Sequence, residues 1–225
     1  AFWCWPPLPL PEYPPWCSTS YLRGRANLIV LPDDLPISLT PFTFLLGTWT
    51  GSGVVSYPVG QSKATEVNFF QLCQFTALEN GKLEYRSTFS DSEGIIISQE
   101  HGYWLLAKPS GEHDPGPGLL PGTGKPIIET REELESMRKE NGGFDIEAII
   151  SNSDSVSELY FGQIKGARVD IATDAVLRSP NTKDYSAGVR MFGLVEGALL
   201  WAWDMAAIGS PLKSHASARL VKKDD

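Results

Sequence analysis

From Thr40 to near the carboxyl end the chain runs in short apolar segments, broken by Gly, Pro, Asn or Asp at intervals of about ten residues. This is the rhythm of antiparallel strands joined by tight turns. Ten candidate strands follow, at 48–57, 66–76, 82–90, 95–107, 144–151, 156–164, 167–178, 187–196, 198–207 and 214–222. The turn chemistry fits between them. Asn80-Gly81 sits in LENGKL, Gly166 in IKGARV and Gly197 in VEGALL, and these residues take the positive φ angles that two-residue hairpins need. A meander of so many strands exposes two sheet edges unless it closes on itself, so the pattern predicts an all-β, up-and-down antiparallel barrel of about ten strands.

Three segments stand outside the meander. TPFTFLLG at 40–47 precedes the first strand and predicts a short helix that closes one barrel end. The stretch 108–143 interrupts the strand pattern as an insertion: a Gly/Pro-rich loop, then the charged helical segment ETREELESMRKE, with Thr130 as N-cap and Glu133 three residues on. Residues 1–36, rich in proline and aromatics without a helical or strand period, read as an extended or disordered arm. The barrel domain is then 37–225. With 42% hydrophobic and 20% charged residues, the 225-residue chain has the means to bury one core.

A formal charge of −8 excludes a protein that works by neutralising nucleic-acid phosphates or an anionic membrane surface. No apolar run approaches the ~18 residues of a membrane-spanning helix, so the expectation is a soluble, cytoplasmic protein with neither nucleic acid nor membrane as partner. Cys4, Cys17 and Cys73 form no CxxC pair and give no disulfide framework.

A barrel of this size either fills its interior with side chains or holds one small ligand. The first strand opens GTWTGSG, with glycines at 47, 51 and 53 around Trp49. Glycine permits a sharp bend or the close approach of another backbone, and a tryptophan there plugs the barrel end. No nucleophile elbow, phosphate loop or HExxH motif competes for the chemistry.

The G-x-W-x-G-x-G stretch at 47–53 with Tyr57-Pro58, EHGYW at 100–104, and the closing MAAIGSPLKSHASARL together resemble the nitrobindins, β-barrel haem proteins also described as peroxynitrite isomerases. The resemblance spans about 40 to 222, apart from the insertion. It implies a haem b cofactor whose iron is bound by the histidine of the closing motif, here His215, with the opposite face open to peroxynitrite or nitric oxide. Read alone, His215 is an ordinary strand histidine. By the same resemblance His215 is the catalytic and metal-binding residue, and Lys183, in NTKDYSAG, is a haem-site lysine placed to pair with a propionate. The reaction implied is isomerisation of peroxynitrite to nitrate, with a homodimer left open.

Strand alternation raises a difficulty, because it sets His215, Ser217 and Arg219 on one face and Ala216, Ala218 and Leu220 on the other. A regular strand then directs His215 away from the apolar side. A bulge near Ser214, or a haem seated at the barrel mouth, removes the conflict. Trp201, Trp203 and Met205 share one strand face and either line a porphyrin pocket or belong to an ordinary core. Val59 and Ser98 stand where relatives often carry threonine and histidine; His101 lies off the latter position and is not read as a ligand, and His113 reads as exposed. Two other functions stay open: a metal-free fatty-acid carrier, disfavoured because no Arg-x-Tyr pair occurs in the chain, and a non-catalytic haem or nitric oxide sensor.

Overall fold

The computed structural model describes residues 35–57, 65–108, 116–120, 122–123, 128–207 and 211–223. Residues 1–34 of the arm expected at 1–36, with Cys4 and Cys17, and Val59 and His113 lie outside the described residues. Ten strands are present: β1 (Gly47–Tyr57), β2 (Thr65–Ala77), β3 (Leu83–Ser90), β4 (Ile96–Leu106), β5 (Phe144–Asn152), β6 (Val156–Lys165), β7 (Arg168–Arg178), β8 (Tyr185–Val195), β9 (Ala198–Ala207) and β10 (Lys213–Lys222). Each neighbour in sequence is a neighbour in space, and β1 pairs with β10 from Trp49↔Lys222 to Val55↔Ala216, so the sheet closes into a barrel. Every strand edge is thereby paired.

The glycines of β1 explain how this seam closes. A Cβ on Gly53 would lie 2.3 Å from the Ser217 carbonyl oxygen and 2.4 Å from the Phe69 ring. Only a residue without a side chain lets β1 approach β10 and β2 this closely. At the β8–β9 turn Glu196 and Gly197 both have positive φ, 50° and 77°, the demand of a two-residue primed hairpin.

One end of the barrel is shut. A 3-10 helix at Ile37–Phe42 crosses it and buries Leu39 and Phe42, while Leu45 and Trp49 fill the space beneath. Trp49 donates its indole N–H to the Leu45 carbonyl at 2.7 Å, which satisfies the one polar atom of the plug. The short helix α1 (Arg131–Ser136) caps itself: the Thr130 side chain accepts from Glu133 N, and the Glu133 carboxylate accepts from Thr130 N. It packs its single buried residue, Leu134, into the same core.

The other end is open. Register shifts occur at Ile97 (β3–β4), Asp174 (β6–β7), Ser186 (β8–β9) and His215 (β9–β10), all within a few residues of that end. Bulges at a barrel rim bend strands and re-aim side chains. Among the described residues no helix is long and apolar enough to cross a membrane.

Candidate functional site

A cavity of about 390 Å³ enters the open end and reaches the middle of the barrel, a size usual for small-molecule sites. Its walls are chiefly aromatic. Trp201 stacks on Phe69 at 6.1 Å and meets Phe89 edge-on at 6.3 Å. The Trp201 N–H is satisfied within the wall, donating to Gln71 Oε1 at 2.7 Å, and Gln71 in turn donates to Ser87 Oγ at 2.8 Å. Trp203 and Met205 line the same cavity, so this face of β9 lines a pocket, as the first of its two readings has it, while Trp201 also joins the core.

His215 lines the cavity beside Ala216. Ser214 pairs with Asp204 and Ala216 with Trp203, which leaves His215 as the additional residue of a bulge. The bulge near Ser214 thus resolves the conflict of faces. The imidazole approaches the Ser56 carbonyl oxygen through Nδ1 at 3.2 Å. A carbonyl only accepts, so Nδ1 carries the proton and the lone pair lies on Nε2. Burial pushes the His215 imidazole below its ordinary pKa; the Ser56 bond opposes this, and the Lys183 and Arg190 charges add to it. The neutral, ligating form is favoured.

Lys183 stands at the cavity mouth, in the β7–β8 connection. That connection is tied down: Ser179 N donates to Ser155 O at 3.1 Å, Thr182 N to Ser179 O at 3.1 Å and Tyr185 N to Lys183 O at 2.9 Å, and Arg178 pairs with Asp184 at 2.7 Å. The ammonium sits on a braced turn. Ser98 also lines the cavity, whereas His101 is exposed on the outer wall and meets Glu84 at 3.1 Å. His101 does not belong to the site.

The floor holds a cluster that the sequence analysis missed. Arg190, 2% exposed, donates from Nη1 and Nη2 to the two oxygens of Glu100 at 2.9 and 2.8 Å, from Nη2 to Glu158 at 3.0 Å, and from Nε to the Tyr160 hydroxyl at 2.8 Å. Tyr85 donates to Glu100 at 2.7 Å, and Tyr160 and Tyr185 both donate to Glu158 Oε1. Burial works to push the Glu100 carboxyl up, but the Arg190 charge and the hydrogen bonds outweigh it and hold Glu100 below the usual carboxylate range. Burial drives the phenols of Tyr85, Tyr160 and Tyr185 upward, with Glu100 or Glu158 adding to the effect. The signal was present in the alternation: each of the three charged residues occupies an inward position in line with apolar neighbours, as Arg190 with Phe192 and Glu158 with Val156 and Tyr160.

One imidazole with its lone pair on Nε2, aromatic walls and a cation at the mouth form a donor set that fits haem. The group needs one axial nitrogen, apolar faces and a partner for its acidic edge.

Comparison with known proteins agrees. The model of the "THAP4-like, heme-binding beta-barrel domain" matches residues 38–222. A protein of Leifsonia xyli subsp. xyli named peroxynitrite isomerase is 45% identical over 199 residues, 88% of this chain and 100% of the relative. Peroxynitrite isomerase of Clavibacter michiganensis subsp. michiganensis is 44% identical over 200 residues, again covering 88% of this chain and 100% of the relative. The crystal structure of Rv2717c from M. tuberculosis superposes with a TM-score of 0.61 at 18% identity, covering 83% of this chain and 98% of that one. This last likeness concerns the fold.

Proposed function

The chain belongs to the THAP4-like, heme-binding β-barrel family, and from that membership we propose that it binds haem b through His215 and Lys183 and isomerises peroxynitrite to nitrate. The observation that carries this reading is the bulged His215, turned into an open aromatic cavity with Nδ1 on the Ser56 carbonyl. When bound, haem supplies the iron chemistry that rearranges peroxynitrite into nitrate.

The chain's own residues do the rest. The Ser56 carbonyl holds the His215 proton on Nδ1, and burial favours the neutral ring, so Nε2 would be the atom that holds the iron. Phe69, Phe89, Trp201 and Trp203 exclude water from the faces of a flat apolar group. Lys183 neutralises a propionate and adds a local positive charge at the entrance of a protein whose net charge of −8 does not itself attract an anion. Ser98 lies on β4, separated from β10 by β1, β2 and β3 on one side of the closed sheet and by five strands on the other, and lines the same cavity as His215. Its hydroxyl would offer a small polar contact to a ligand in the cavity, nitric oxide included. The reading carries a cytoplasmic setting, and light scattering measures whether a homodimer forms.

Arg190 bears on the alternative carrier function. It is the buried cation that a fatty-acid carboxylate would seek, but its guanidinium is already occupied by Glu100 and Glu158. Hemin titration tests the reading directly. A Soret band that appears at one equivalent and is lost in His215→Ala supports it, as does catalysed peroxynitrite decay to nitrate in stopped flow. A protein that takes up no hemin but displaces a fluorescent fatty acid is a carrier.

A further inference from the structure

The charged cluster on the cavity floor enters the function proposed above only through the small effect of the Arg190 charge on His215. Burying one cation and two carboxylates is costly, and apolar side chains of similar volume often stabilise a core as well or better. Its presence is explained by what it holds in place. The Arg190 guanidinium carbon lies 4.1 Å from the centre of the Trp203 ring. The same indole meets His215 in a T-shaped contact, with ring centres 5.1 Å apart and planes at 86°. Arg190 and His215 thus share one intermediary.

Trp203 depends on its neighbours for orientation. Its buried indole N–H makes no hydrogen bond, so packing alone sets the ring. Tyr185 abuts it edge-on at 5.9 Å, and Gly188 yields the remaining space: a Cβ there would fall 2.7 Å from Trp203 Nε1 and 2.2 Å from the Tyr185 hydroxyl. Arg190 and Tyr185 are both bonded to Glu158. The carboxylate therefore anchors two sides of the indole at once.

We propose that Arg190, held flat by Glu100 and Glu158, is a positioning residue for His215: it clamps the Trp203 indole, and the indole fixes the plane of the imidazole. A hydrogen bond to Ser56 fixes one atom of the ring but not its plane; the T-shaped contact supplies the missing constraint. Arginine suits the task because its guanidinium is planar, receives carboxylates along its edge and stacks by its face, whereas lysine has no face to stack. The purpose of the clamp rests on the haem-binding reading; the chain of contacts does not.

Two variants test it, Arg190→Lys, which keeps the charge and loses the flat fork, and Trp203→Leu, which leaves the charged cluster whole and removes the intermediary. Long-range ¹⁵N–¹H NMR of the haem-free full chain reads the His215 tautomer, with the signal assigned by His215→Ala. The expected result is a single Nδ1–H tautomer in the wild type, a mixture of tautomers in both variants, and hemin affinity lowered about tenfold or more in each. Should Arg190→Lys fail to fold, Trp203→Leu decides the matter by the same readings. A folded Trp203→Leu protein with an unaltered His215 tautomer and unaltered hemin affinity overturns the proposal, and so does the same outcome in Arg190→Lys. Wild-type protein that takes up no hemin would overturn the haem reading, while the tautomer comparison still decides the clamp.

Discussion

His215 and Ala216, consecutive in β10, both line the cavity, although successive residues of a regular strand face opposite sides. The extra residue between the Ser214–Asp204 and Ala216–Trp203 pairs is what allows it. One inserted residue turns an outward histidine inward and leaves Ala218 and Leu220 in the core.

Deletion of Ser214 therefore ought to restore regular pairing, with His215 opposite Asp204 and facing solvent. The expected protein is folded by circular dichroism and binds hemin no better than His215→Ala. Full hemin binding by the folded deletion variant would show that the bulge does not aim the ligand.

Much of the architecture was legible in the chain because antiparallel pairing leaves local marks. Turn glycines at 81, 166 and 197 and period-two burial bound each strand, and all ten candidates lie within two residues of the observed ends. The helix at the closed end is a 3-10 turn three residues earlier than TPFTFLLG suggests, since Leu39 and Phe42 are the side chains that reach the core. Motifs shared with a family pointed to His215 and Lys183; alternation alone turned His215 the wrong way, because a bulge is a property of two strands and its signature lies in neither. The Arg190 cluster was hidden for a similar reason. Glu100, Glu158 and Arg190 are distant in sequence, and only closure of the barrel joins three isolated inward charges into one hydrogen-bonded cluster.

Lys183 predicts a charge effect at the mouth. Reversal in Lys183→Glu is expected to weaken hemin affinity about tenfold, and Lys183→Ala by a few-fold, as suits an exposed ion pair. The wild-type affinity should also fall with added salt more steeply than that of the alanine variant. Equal salt dependence in the two proteins removes Lys183 from the haem site.

The Glu100 carboxyl predicts a pH dependence of stability. Its native pKa is depressed by Arg190 in spite of burial, so it contributes stability that is complete above the unfolded value of about 4.3 and is lost as pH falls through the native value. Glu100→Gln removes this contribution. In urea unfolding followed from neutral pH downward, the gap between wild type and Glu100→Gln is expected to narrow below about pH 4.3, and a gap that stays constant would contradict the ion pair as its source.

Arg190→Met isolates the cost of leaving the two carboxylates behind. The methionine fills part of the volume, but Glu100 and Glu158, 6% and 1% exposed, lose their cation, and each must then stay charged in apolar surroundings or take up a proton. Loss of one partner from a buried charged group typically costs about 3–5 kcal/mol, so the midpoint of urea unfolding should fall sharply. Converting both acids to amides in the same chain, as Arg190→Met with Glu100→Gln and Glu158→Gln, removes the stranded charges while keeping the side-chain volumes. Most of the lost stability is expected to return, without recovery of hemin affinity, because neither methionine nor glutamine restores the flat cation over Trp203. If the triple variant is as unstable as Arg190→Met alone, the damage is one of shape and not of charge.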